Sequence, residues 1–246
     1  MQRCCSKEKN KILIGVTILK QNELIPLAES ILPEFTEILK QSHPYEIKGI
    51  FHSEMLMFCS IMTKYMPEQI IESGRARGQS TEIIARWSAN HKINFHSIES
   101  NKSNIDCDIA EARLKGLPVN LHYGDSFEII PYLINNKKTL CLIDGPKGSG
   151  MWKLFSIMFP IKSVCGIAMH DSYDGSTVRN NLENQFMGKY IISDNETFVN
   201  KFKYLDKECW EINPWGPYEM GSYIKGTVLN LHKSKSYAGT LSFAGK

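Results

Sequence analysis

Between residues 70 and 187 the chain repeats one change of hydrophobic period. Short apolar runs rich in β-branched residues, at 70–72, 93–98, 119–123, 139–143 and 164–169, each give way to a turn. Apolar residues at helical spacing then follow, at 79–89, 102–115, 127–136, 151–159 and 177–187. Strands separated by whole helices cannot pair through tight hairpins; they are joined by crossovers and lie parallel. Right-handed crossovers place helices on both faces of the sheet. The expected fold class is therefore α/β, a Rossmann-like, doubly wound and mostly parallel sheet of about seven strands.

The flanks read differently. Residues 1–10 are polar, and 11–40 and 46–65 carry apolar residues at helical spacing, with Pro26 and Pro33 expected to start or break segments. This predicts a helical N-terminal extension over 1–66, a Rossmann-like domain over 67–232 and a disordered tail over 233–246. Beyond Asp171 a strand is expected at 190–193, one helix at 196–207, a rigid aromatic loop around Trp215 and a last strand at 226–232.

With 246 residues and 42% hydrophobic content, the chain can bury one large core. A net charge of +3 supports neither a nucleic-acid partner nor an acidic one strongly. No apolar run is long enough to span a bilayer, and the N-terminus lacks a signal-peptide core, so a cytoplasmic protein with no membrane partner is expected. The seven cysteines form no CxxC pair, which argues against a zinc site or a disulfide framework. Cys4-Cys5 is read as part of a loose tip rather than an acylation site. The sequon at Asn195 has no use in a cytosolic chain.

Acids stand at the carboxyl ends of four predicted strands: Glu72, Glu99, Asp144 and Asp171. Asp125 follows the end of the third strand. In an open parallel sheet, ligands bind outside those ends. The stretch Glu72-Ser73-Gly74-Arg75-Ala76-Arg77-Gly78-Gln79-Ser80-Thr81 joins the first strand to its helix by a glycine turn. Such a turn points backbone N–H groups and a helix N-terminus at a polar or anionic ligand. An acid after the second strand, here Glu99, is placed to accept both hydroxyls of a ribose. The G-x-G-x-x-G dinucleotide spacing is not met. Gly145-Pro146-Lys147-Gly148-Ser149-Gly150 continues with Met151-Trp152, so it is no phosphate loop, and no G-x-S-x-G elbow occurs.

The glycine spacing matches E/D-x-G-x-G-x-G with Ala76 in the middle position. On this and the motifs below, residues 67–232 resemble the class I S-adenosylmethionine-dependent methyltransferases. The closest likeness is to the branch of small-molecule O-methyltransferases and cephalosporin-hydroxylase-like proteins. The resemblance implies S-adenosylmethionine as cofactor. Glu72, Gly74, Ala76 and Gly78, with Ser80 and Thr81 at the helix start, match the motif whose turn meets the methionine part. Glu99 matches the ribose acid, and Asp125 and Ser126 the segment near the adenine. Asp144, in Leu142-Ile143-Asp144-Gly145, matches the acid close to the transferring methyl. His170-Asp171 match a polar pair after the fifth strand.

The implied reaction is methyl transfer to an oxygen of a small molecule or sugar. His170 is the candidate general base, Lys147 stabilises an alkoxide, and Asp144 completes the catalytic group. Arg75 and Arg77 are candidates for an anionic group, one of them facing solvent. Asp144 and Asp171 are candidate oxygen ligands for Mg²⁺ or another divalent cation, although Pro146-Lys147 replaces the acid or histidine that many relatives carry. The N-terminal helices are a candidate wall of the substrate site or a homodimer contact. The alternatives are a non-catalytic cofactor-binding or interaction domain of the same fold, and a cephalosporin-hydroxylase-like enzyme.

Overall fold

A computed structural model of the chain describes residues 19–187, 189–212 and 240–246. Helices α1 (Gln21–Gln41) and α2 (His52–Tyr65) come first. Then β1 (Gln69–Ser73), α3 (Gln79–His91), β2 (Asn94–Glu99), α4 (Ile105–Leu114), β3 (Asn120–Tyr123), α5 (Ser126–Leu133), β4 (Thr139–Ile143), α6 (Ser149–Met158), β5 (Val164–Met169) and α7 (Thr177–Phe186) alternate. They are followed by β6 (Ile191–Ile192), α8 (Glu196–Phe202), a 3-10 turn (Lys203–Asp206), α9 (Lys207–Ile212) and β7 (Ser242–Gly245).

The strands form one seven-stranded sheet in the order β3-β2-β1-β4-β5-β7-β6. The first five are mutually parallel, with Gln69 opposite both Asn94 and Thr139. β7 is antiparallel to both β5 and β6. Strands β1, β4 and β5 are buried along their whole length, which is why they read as unbroken apolar runs. Successive side chains leave a strand on opposite faces. Ile70, Leu140, Leu142 and Phe243 therefore face α1, α2 and α3. Ile71, Cys141, Ile143 and Met169 face α6 and α7.

Three expectations are corrected. Pro26 and Pro33 lie inside α1 and do not break it. Both are exposed, as are Asn22 and Glu29 one turn earlier, so the carbonyls that lose a donor meet water. The buried stripe Leu24, Ala28, Ile31, Phe35 and Ile38 meanwhile holds the helix to the core.

The single helix expected at 196–207 is α8, a 3-10 turn and the start of α9. The tighter turn aims Leu205 and Asp206 at the start of α2. There the Leu205 carbonyl meets His52 Nδ1 at 3.1 Å, and Asp206 accepts from the Ser53 N–H at 2.8 Å and its hydroxyl at 2.6 Å.

The tail expected to be disordered contributes β7. Phe243 fits where Gly166 has no side chain: a Cβ there would stand 2.4 Å from the ring. The Trp215 loop and the strand expected at 226–232 lie outside the described residues.

Among the described residues no helix is long and apolar enough to cross a membrane. Cys59, Cys107, Cys141, Cys165 and Cys209 are buried free thiols.

Candidate functional site

The glycine turn is built on Glu72. This carboxylate is fully buried and accepts hydroxyl hydrogen bonds from Ser80 (2.8 Å), Thr81 (2.6 Å) and Ser97 (2.6 Å). Burial raises its pKa, opposed by those three donors. Glu72, Ser80 and Thr81 thus tie the start of α3 to β1 and β2. Their side-chain polar groups bond one another, which fixes the turn that the sequence places against a ligand.

Gly74 follows at φ +92°, where a Cβ would stand 2.6 Å from the Gly145 nitrogen. The turns after β1 and β4 are also laced by backbone. The Ser73 carbonyl accepts from Asp144 N–H (2.7 Å) and Gly145 N–H (2.9 Å). The Ser73 hydroxyl meets that of Ser126 at 2.6 Å and donates to the Gly145 carbonyl. Gly78, at φ +78°, lets the turn rest on Ala110 of α4.

Glu99 closes the same turn from β2. Its Oε2 accepts from the Arg75 N–H (3.1 Å) and Ala76 N–H (2.8 Å), and its Oε1 from the Ser100 N–H (2.8 Å). Ala76 adopts φ +45°, a left-handed conformation in which an alanine is strained.

Arg75 is almost fully buried. It donates to the Ser97 carbonyl at 3.0 Å and lies 4.9 Å from the centre of the Tyr123 ring. Its Nε and Nη2 are buried without a partner among the described residues. Arg77 turns the other way, pairing with Asp106 (2.7 Å) and Glu46 (2.8 Å). Neither arginine is left to solvent alone. Asp125 is exposed and caps α5 through the Phe127 N–H at 2.8 Å.

The second half of the site lies beyond β4 and β5. Asp144 Oδ1 stands 2.5 Å from Lys147 Nζ and 2.7 Å from His170 Nδ1. Lys147 also reaches Asp171 at 2.6 Å. Asp171 adopts φ +54°, and one of its oxygens lies 3.5 Å from His170.

Sequence reasoning missed one member. Glu54 of α2, nearly fully buried, lies 3.5 Å from His170 Nε2. The available signal was a lone acid inside the apolar helix His52-Ser53-Glu54-Met55-Leu56-Met57. The N-terminal extension therefore contributes to the site.

Two influences oppose each other at His170. Burial favours the neutral ring, but the Asp144 and Asp171 carboxylates overcome it and hold the pKa well above the ordinary value. Burial likewise opposes the charges on Asp144 and Lys147. Yet His170 and Lys147 hold Asp144 below the usual carboxylate range, while Asp144 and Asp171 raise Lys147.

No family model matches the chain, and no curated protein matches it. Solved structures with a similar chain course include the O-methyltransferase TomG from Streptomyces achromogenes in complex with SAM. That protein is 14% identical, with 94% of this chain and 92% of that one covered and a TM-score of 0.48. The SAH-bound methyltransferase PaMTH1 from Podospora anserina is 13% identical over 94% of this chain and 100% of that one, with a TM-score of 0.46. An O-methyltransferase from Bacillus cereus in complex with SAH is 13% identical, covering 96% and 94%, with a TM-score of 0.45.

Proposed function

We propose that this chain is a methyltransferase that uses S-adenosylmethionine and methylates an oxygen of a small molecule or sugar. One observation carries the reading. Two groups of polar residues meet where the strand order reverses between β1 and β4, the place where open α/β sheets bind ligands. On one side is the Gly74–Gly78 turn with Glu99; on the other are Asp144, Lys147, His170 and Asp171. Gly74 and Gly145 touch at the boundary. A domain that had lost catalysis would have no reason to keep the second group.

The residues suit the cofactor. Glu99 would hold the ribose hydroxyls, exchanging its turn N–H partners for them. The turn would meet the methionine part, Asp125 and Ser126 the adenine side, and Asp144 the region of the methyl. The unpartnered Arg75 N–H groups behind the turn suit a ligand that carries a carboxylate.

A bound sulfonium supplies an activated methyl group. The chain must then align and ionise the acceptor. Lys147 spends two of its three N–H donors on Asp144 and Asp171. Its half-exposed side chain leaves the third for an acceptor oxygen. The ammonium favours an ionised acceptor hydroxyl. Asp171 is the more open carboxylate, and it takes the proton.

Calorimetric titration with S-adenosylmethionine and S-adenosylhomocysteine, with NAD as control, tests the cofactor. Micromolar binding of both, and none of NAD, is expected. Folded protein that binds neither would overturn the reading.

A further inference from the structure

Asp144, His170 and Asp171 each offer a ligand atom, and these atoms lie within 4.8 Å of one another. The two carboxylates suit a hard divalent cation, whose oxygen ligands stand about 2.0–2.1 Å away for Mg²⁺. The arrangement does not accommodate one. Lys147 Nζ already bridges Asp144 Oδ1 at 2.5 Å and Asp171 Oδ2 at 2.6 Å. His170 Nδ1 approaches the same Asp144 oxygen at 2.7 Å. A metal shared by the two carboxylates would have to sit against the Lys147 ammonium.

We propose that the Lys147 ammonium is itself the resident cation of this site, and that it keeps divalent metals out. The argument is one of space and charge. Two carboxylates that converge need a positive partner, and Lys147 supplies it from a position three residues after Asp144. A compact ammonium on a flexible stem can do what a Lewis acid does for an acceptor oxygen, favouring its ionised form. The catalytic consequence rests on the methyl-transfer reading; the exclusion of metal does not. The sequence departure at Pro146-Lys147 is then a replacement: the cation is carried by the chain.

The experiment is a Mn²⁺ titration of the full chain without S-adenosylmethionine, read by the electron paramagnetic resonance signal of free Mn²⁺. Wild-type protein is expected to leave the signal at its buffer intensity through the millimolar range. Lys147→Met, which keeps the stem and removes the charge, is expected to bind one Mn²⁺ about a hundredfold more tightly, since it leaves two carboxylates without their cation. Adding Asp171→Ala to that variant should abolish the gain. Stoichiometric binding by the wild-type protein overturns the proposal, whatever the variants do. A folded Lys147→Met protein, checked by circular dichroism, that stays silent toward Mn²⁺ overturns it too. Failure of methyl transfer would leave all three outcomes readable.

Discussion

Gly74 and Glu72 decide the turn between them by different means. Gly74 has φ +92° and a backbone neighbour 2.6 Å from where a Cβ would be. Gly74→Ala must therefore push the β1 and β4 turns apart. Its expected effects are a lower urea midpoint and the loss of measurable S-adenosylmethionine binding. Glu72→Ala leaves three buried hydroxyls without an acceptor. An unsatisfied buried group costs about 1–3 kcal/mol, so a loss of about 3 kcal/mol is expected in urea unfolding. Glu99→Ala removes the proposed ribose acceptor and should weaken S-adenosylmethionine by ~1–3 kcal/mol in calorimetry. Unchanged affinity would mean that the nucleotide lies elsewhere. Residue types at the strand ends were legible in the sequence because acids and glycines stand out against apolar runs. Their charge states were not. The raised pKa of His170 depends on Asp144, Asp171 and Glu54, which come from three separate parts of the chain.

At the scale of elements, the 3-10 turn before α9 makes a titration visible. Asp206 is buried against Ser53, and burial raises its pKa from 3.8 to about 7. The folded chain thus keeps a proton that the unfolded chain has lost, so stability falls as pH rises between those two values. The slope is on the order of 1.4 kcal/mol per pH unit for a single group. Asp206→Asn cannot titrate there. The difference in melting temperature between pH 5 and pH 8 should be smaller in that variant than in the wild type. An equal difference in both proteins would remove Asp206 from the account. Helix α1 shows why local signals misled. Proline is a breaker where its freed carbonyl is buried; on an exposed face water replaces the bond, and Leu24, Ile31, Phe35 and Ile38 outweigh the loss. The strands from 70 to 169 were legible for the opposite reason. Burial on both faces leaves each a continuous apolar run between turn residues.

For the whole molecule, β7 is the piece least visible in advance. Ser242-Phe243-Ala244-Gly245 carries one large apolar side chain, too few for a periodicity. Its place depends on distant partners: Gly166 makes room for Phe243, and Gly245 makes room for Tyr65, whose hydroxyl a Cβ would strike. Phe243 is nearly fully buried. Phe243→Ala should cost about 3–5 kcal/mol by chemical denaturation, the range for emptying an aromatic core position.

The place of β7 also sets an order of events during synthesis. β5 and β6 both leave the ribosome before the strand that lies between them. Until β7 emerges, the nascent sheet offers the bare backbone edge of β5, an invitation to pair with another chain. A ribosome paused before residue 242 would thus hold an open sheet, whose edge β7 covers once it has emerged.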